Sequence, residues 1–203
     1  RNLKYTVIGY MLEDDDIKLF LEFQRGNKQS FEKLLDKYEK PVINFIYHIV
    51  GNREDAEDLA QEVFLRIYQS AKNYKPTAKF STWLYRIAVN ISIDHKRKPA
   101  NKLQAITDSL DKQIVTDENE ITKEIADTSK NLPENILEQK RIDETVRSAL
   151  LSLPSNQRIA LTLIVYENKS YREISEILGY SVSSVESLLF RTRQSLKQKL
   201  AGM

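Results

Sequence analysis

Apolar positions recur at spacings of three and four along most of the chain. Between Asp14 and Val50, Ile17, Phe20, Leu21, Phe31, Leu34, Leu35, Val42, Phe45, Ile46 and Ile49 carry this rhythm. It is the rhythm of helices, not strands. A turn at Arg25-Gly26-Asn27 divides the run, and Gly51-Asn52 ends it. Asn52 is placed to cap a third helix, from about Glu54 to Ala71, whose acidic first turn suits the helix dipole. A polar connection from Asn73 to Lys79 leads into a fourth helix, from about Phe80 to Lys98.

From Pro99 to about Pro133 the pattern decays into Asp, Glu, Lys, Thr, Ser and Asn, which reads as an acidic flexible linker with transient helix around Glu120–Asp127. Helical periodicity then returns at roughly Glu134–Ser152, Ser155–Tyr166, Tyr171–Leu178 and Ser184–Lys199, with breaks at Leu153-Pro154, Asn168-Lys169-Ser170 and Gly179-Tyr180-Ser181. The predicted architecture is all-α: two small helical domains, at residues 12–98 and 134–201, joined by a flexible linker at 99–133. Such a linker permits both packed and open arrangements of the domains.

Composition narrows the function. There are no cysteines, and the two histidines, His48 and His95, are far apart in sequence, so disulfides, thiolate chemistry and a histidine-rich metal site are not expected. No cofactor is implied. The net charge of +2 is too small to argue nucleic-acid binding by itself, so the placement of the basic residues decides. No apolar run approaches the roughly 20 residues that span a bilayer. A cytoplasmic protein without membrane insertion is the expectation. The chain opens on Arg1, and Met11, just ahead of the first helical pattern, is a candidate natural start.

The strongest local signal lies in Tyr171–Leu196. Ile174, Ile177 and Leu178 give a short helix one apolar face, and Gly179 offers the positive φ that a tight helix-to-helix turn often needs. Ser183-Ser184-Val185-Glu186 fits a capping box. In the next helix Val185, Leu188, Leu189, Thr192 and Leu196 face inward, leaving Ser184, Ser187, Phe190, Arg191 and Gln194 outside. That outer face suits a recognition helix in a major groove; the alternative is a helical hairpin with a solvated face. Arg193, Lys197 and Lys199 fit phosphate contacts, or simply complement the helix dipole.

In the third helix, Asp55, Asp58 and Glu62, with Gln61 beside them, form an acidic stripe opposite Leu59, Val63 and Ile67. The stripe reads as a partner surface or as a solvated face. The fourth helix turns Phe80, Trp83, Leu84, Ile87, Ala88 and Ile91 inward, with Arg86, Asn90 and Arg97 on its other side and Lys96 and Lys98 at its end. Lys72, Lys75 and Lys79 precede it. Basic residues with Tyr74, Tyr85 and Trp83 among them resemble a platform for unpaired nucleic acid, although Trp83 at helical spacing is expected to pack in the core.

The stretches Asp55–Phe64, Phe80–Asn90 and Asp94–Lys98 resemble region 2 of extracytoplasmic-function (ECF) sigma factors of the sigma-70 family. Leu153-Pro154, Gln157-Arg158, the Ser170–Gly179 helix and Val185–Arg193 resemble their region 4. The resemblance implies a sigma factor that binds core RNA polymerase and directs promoter-specific initiation, with an anti-sigma factor as a further partner. It gives Asp58, Gln61 and Glu62, with Asp55, the contact to the coiled coil of the largest polymerase subunit. It gives Asn73, Tyr74, Lys75, Lys79, Arg86, Asn90 and Arg97 the −10 element, read and opened as single strand. Region 4 would read the −35 duplex, through Ser184, Ser187, Phe190, Arg191 and Arg193; many family members carry basic residues where this chain has Glu186 and Leu188.

Two other classes compete. One is a helix-turn-helix regulator that does not engage polymerase, and the other is a helical adaptor or interaction protein. An enzyme is not expected, because the sequence assembles no nucleophile, phosphate loop or metal cage.

Overall fold

The computed structural model describes residues 14–107 and 144–201. Residues 1–10 with Met11, the linker from 108 onward with its Glu120–Asp127 stretch, and residues 134–143 of the fifth predicted helix lie outside the described residues. The first domain comprises α1 (Asp15–Gln24), α2 (Lys28–Val50), α3 (Arg53–Ser70), a 3-10 turn (Ala71–Asn73) and α4 (Phe80–Thr107). The second comprises α5 (residues 144–151), α6 (Ser155–Val165), α7 (Tyr171–Leu178) and α8 (Val182–Ala201). Among the described residues there is no strand, and no helix is long and apolar enough to cross a membrane.

Local chemistry sets most boundaries. Asp14 starts α1 by accepting the Asp16 backbone N–H at 3.0 Å, and Asn52 starts α3 by accepting that of Asp55 at 3.1 Å. Both satisfy an amide that the first helical turn leaves free. Gly179 ends α7 at φ 71°, as its position predicts. Three expectations are corrected. The helix predicted to stop at Lys98 continues through Pro99 to Thr107. Proline removes one donor and crowds the preceding turn, but the residues around it are good helix formers, and α2 likewise runs through Pro41. The cap of α8 is Ser181, whose hydroxyl accepts the Ser184 N–H at 3.1 Å, so the helix starts two residues before the expected Ser184 and the Ser183/Glu186 box does not form. The capping box sits instead on α7, between Ser170 and Glu173.

The core of the first domain is aromatic where α1 meets α4. The fully buried Phe20 ring lies 4.7 Å from Tyr74, 5.3 Å from Phe80 and 5.4 Å from Trp83. Burying Ile17 and Phe20 contributes about 1.5–3 kcal/mol each, which holds the ten-residue α1 on the bundle. Asp16, 7% exposed, is matched by Lys37 Nζ at 2.6 Å and by the Tyr38 hydroxyl at 2.6 Å.

The two domains pack against each other. α7 lies along α4, α6 meets α2, and Ile159, Leu163, Ile174 and Ile177 join the same buried cluster as the first domain. Gly51 sits tight against the second domain: a Cβ there would meet Leu151 at 3.0 Å, and its φ of 86° disfavours any side chain. Beside it, the Arg158 guanidinium, 5% exposed, donates to the carbonyls of Ile49 (2.6 Å), Leu151 (2.5 Å) and Leu153 (2.9 Å). It thus satisfies carbonyls left over at the ends of α2 and α5, where a cation also complements the helix dipoles.

Candidate polymerase and nucleic-acid interfaces

The outer side of α3 follows from its inner side. Leu59, Val63 and Ile67 are buried, which turns Asp58 and Gln61 to solvent. Glu62, 41% exposed, pairs with Arg66 one turn on at 2.5 Å. Such a surface pair is worth little, so Glu62 is free to exchange it for a partner. Asp55 instead leans toward His95 on α4, 3.6 Å away. Gln61 also stands on the rim of an apolar groove of about 590 Å³ between α2 and α3, lined by Phe31, Leu35, Ile43, Phe64, Leu65 and Tyr68. Leu65 and Tyr68 are 55% and 48% exposed. The sequence reading did not single out either residue, although at steps of four and three they continue the exposed face that carries Asp58 and Gln61.

The loop after α3 is held from below. Gln24 Nε2 donates to the carbonyls of Ala71 at 2.7 Å and Tyr74 at 3.3 Å. The loop then folds over a recess of about 190 Å³ lined by Ser70, Asn73, Tyr74, Lys75, Thr77, Ala78 and Trp83. Tyr74 is 9% exposed, and burial first, then the Asp14 carboxylate, push its phenol up to about 12. Trp83 packs 4.7 Å from Tyr74, as expected of a core residue, while also lining the recess. Asn73, Lys75, Asn90 and Arg97 are exposed. The placement of Tyr85 on an aromatic platform is corrected: its ring is 2% exposed, edge-on to Phe45 at 5.0 Å, because it lies where the second domain docks.

That docking engages two of the predicted −10 residues. Lys79 Nζ pairs with Glu173 Oε1 at 3.0 Å, and Arg86 Nη2 donates to the Glu176 carbonyl at 2.7 Å. The Tyr85 hydroxyl donates to Glu167, and Lys169 Nζ to Ser81 Oγ at 2.9 Å. Burial alone would raise Glu173, but bonds from the Ser170 backbone and hydroxyl and from Lys79 outweigh it and hold the carboxyl at about 2. Glu167 and Glu173 were missed from sequence. The Ser170-x-x-Glu173 spacing carried a signal for a cap, though none for the contact across domains.

The second helix of the helix-turn-helix presents the expected face. Val185, Leu189 and Thr192 are fully buried, whereas Ser184, Ser187, Phe190, Arg191 and Arg193 are exposed, Phe190 by 62%. Arg193 reaches the Tyr171 hydroxyl at 3.1 Å, and Ser184 shares a hydroxyl contact with Ser181 at 2.7 Å. The surface therefore offers short hydroxyls, an aromatic ring and guanidinium groups, all free of the domain contact.

Comparison with known proteins agrees with both halves of this geometry. The Sigma-70 region 2 family model matches residues 34–102, past the expected boundary at 98, and the Sigma-70 region 4 model matches residues 143–196. The ECF RNA polymerase sigma factor SigW of Bacillus subtilis is 32% identical over 193 residues, covering 92% of this chain and 97% of that protein. The RNA polymerase sigma-H factor of Pseudomonas aeruginosa is 30% identical over 195 residues, covering 94% and 96%. Among solved structures, CnrH in complex with the cytosolic domain of CnrY shares the fold at a TM-score of 0.66, with 21% identity over 94% of this chain and 99% of that one. RpoE of Bartonella quintana, in complex with the anti-sigma factor NepR, does so at 0.62, with 20% identity over 85% and 98%. With both regions matched in order, and near-full-length relatives at this identity, the chain belongs to the ECF sigma factors of the sigma-70 family and is an RNA polymerase sigma factor.

Proposed function

We propose that three surfaces divide the work of initiation among named residues. The α3 face bearing Asp58, Gln61 and Glu62, with Asp55 at its edge, docks a basic helical element of core polymerase. The groove flanked by Leu65 and Tyr68 adds apolar contact to that charge complementarity. The loop from Asn73 to Lys79 takes one extruded −10 base into its recess, with Tyr74 and Trp83 as aromatic walls and Lys75 and Lys79 at the phosphates. Arg86, Asn90 and Arg97 continue that track along α4. The α8 face with Ser184, Ser187, Phe190, Arg191 and Arg193 reads the −35 duplex in the major groove.

The recess carries the promoter half of this reading. It is small, walled by Tyr74 and Trp83 and bordered by the Asn73 amide and the Lys75 ammonium, which suits a single unstacked base. Melting then runs on binding energy, and the site requires no catalytic group. An anti-sigma protein as a further partner, and work in the cytoplasm beside polymerase, belong to the same proposal; one structural relative, RpoE of Bartonella quintana, is in complex with an anti-sigma factor. The test is transcription in vitro from a genomic promoter library with core polymerase, with and without this protein. Specific transcripts that depend on the protein, and that fade on replacing Lys75 and Lys79 by Ala, support the assignment. Transcripts indifferent to those replacements sink it.

A further inference from the structure

The one acid of the recognition helix has no structural duty. Glu186 stands four residues after Val182, the first residue of α8, and is exposed. Its spacing from Ser183 suits a capping box, but Ser181 caps the helix and that box does not form. The nearby cations are turned elsewhere: Arg191 Nε donates to the Ser187 carbonyl at 3.3 Å, and Arg193 Nη2 to the Tyr171 hydroxyl at 3.1 Å. The two carboxylates of α7 are engaged, Glu173 by Ser170 and Lys79, and Glu176 by Arg172 at 3.5 Å. Among the described residues of α7 and α8, Glu186 is the carboxylate with neither a hydrogen bond nor an ion pair. It sits one turn before Phe190 and three residues after Ser183, both exposed, so it flanks the face assigned to the −35 duplex.

We propose that Glu186 is a specificity-determining residue of that face, accepting a hydrogen bond from the N4 amino group of one cytosine in the major groove. The inference rests on the assignment of the α8 face to duplex DNA. A recognition helix presents its N-terminal residues to base edges, and Glu186 lies in that part of α8. A carboxylate there is repelled by the phosphates that line the groove, so it is tolerated only opposite a donor. Thymine O4 and guanine O6 and N7 offer acceptors alone, and adenine sets its N7 acceptor beside the N6 donor. Cytosine offers the N4 donor with no acceptor next to it. The bases therefore rank cytosine, then adenine, then guanine and thymine. Register follows as well. Glu186 and Phe190 are about 6 Å apart along the helix axis, and successive bases are about 3.4 Å apart. The cytosine thus lies within about two base pairs of the step that Phe190 contacts. Sites lacking it meet an unpaired acid, which sharpens discrimination rather than raising affinity.

The preference is read by selection: holoenzyme made from core polymerase and the full-length chain chooses among promoters recovered from the genomic library and randomised over their upstream element. The parent should enrich cytosine about tenfold at one position, within about two base pairs of the position that Phe190→Ala relaxes. Glu186→Gln exchanges an acceptor-only group for an amide that matches adenine N6 and N7, so that position should switch from cytosine to adenine. Glu186→Ala should leave it without preference. Other positions should be unchanged in both variants, since each alters a single exposed side chain. A parent motif with no cytosine in that window overturns the inference. So does a motif that both variants leave intact while affinity rises evenly, because the carboxylate then only repels phosphate. If Phe190→Ala and Arg191→Ala also leave the motif untouched, the assignment of α8 to the −35 duplex falls, and this inference with it.

Discussion

Replacing Arg158 by Ala removes three hydrogen bonds at 2.6, 2.5 and 2.9 Å, to carbonyls that close two helices from different domains. Bonds to a charged group contribute about 1.5–3 kcal/mol each. Their simple sum overstates the loss, because the guanidinium is itself desolvated, and burial draws its pKa down. The better measure is what is left behind. The bonds to Ile49 and Leu153 are buried, and each orphaned acceptor costs about 1–3 kcal/mol. The bond to Leu151 is only part-buried, so water can replace it. Water entering the vacated space offsets some of the rest. A loss of about 3 kcal/mol is expected, a large share of the 5–15 kcal/mol typical of a folded protein. Urea denaturation followed by circular dichroism measures it. Arg158→Met separates causes, since it fills the space without donating, and it should be about as damaging as Ala. Arg158→Lys, with a single ammonium in place of a planar fork, should recover about half. If Arg158→Ala loses less than about 1 kcal/mol, or Met restores the parent value, the carbonyl-satisfying role is refuted and the residue is mere packing.

Replacing Gln61 and Glu62 together by Lys reverses the charge of the α3 face; core polymerase binding by gel filtration should vanish while the thermal melt stays within a few degrees. Unchanged affinity would remove that face from the interface. Phe190→Ala, at a residue 62% exposed, should move stability by under about 0.5 kcal/mol, yet weaken binding of polymerase holoenzyme to duplex −35 DNA several-fold. Equal footprints would show the ring is idle. Lys96 titrates at about 8, burial first and the Arg158 charge second having lowered it from 10.5. Between those values the unfolded chain holds the extra proton, so stability rises with pH across that window, and below it the folded chain bears the full cost of the buried charge. Lys96→Met should therefore raise stability at pH 7 by on the order of 1 kcal/mol, allowing for solvent screening. The gain should disappear in melts near pH 10.5.

The fold was legible because helices announce themselves locally. The period of apolar residues, Asn52 as a cap and Gly179 as a stop can all be read within one turn of the residues concerned. The same holds for exposure of the α8 face, since burying Val185, Leu189 and Thr192 leaves Ser187, Phe190 and Arg191 outside by geometry alone. The errors arise where local signals conflict or where contacts are remote. Pro99 reads as a stop, yet α4 passes through it. Two serines near the start of α8 both suit a cap, and Ser181 takes the role. Tyr85 looks like an exposed aromatic on a basic helix and is covered by residues about eighty positions later in the chain. No periodicity reports that kind of pairing.

The modest net charge of +2 acquires a meaning from the same contacts. A sigma factor must offer acid to polymerase and base to DNA, so a near-balance is what two opposite partners require of one chain. Charge balance alone would still leave the basic face of α4 exposed to any nucleic acid. Across the domain contact, Lys79 faces Glu173 and Arg86 faces the end of α7. The acids of the second domain therefore act locally, within a Debye length of about 8–10 Å, where the overall sum cannot. Each cation withheld from a single strand removes about 0.7 from the slope of log affinity against log salt. On the −10 assignment proposed for Lys79 and Arg86, the domain contact holds two such cations.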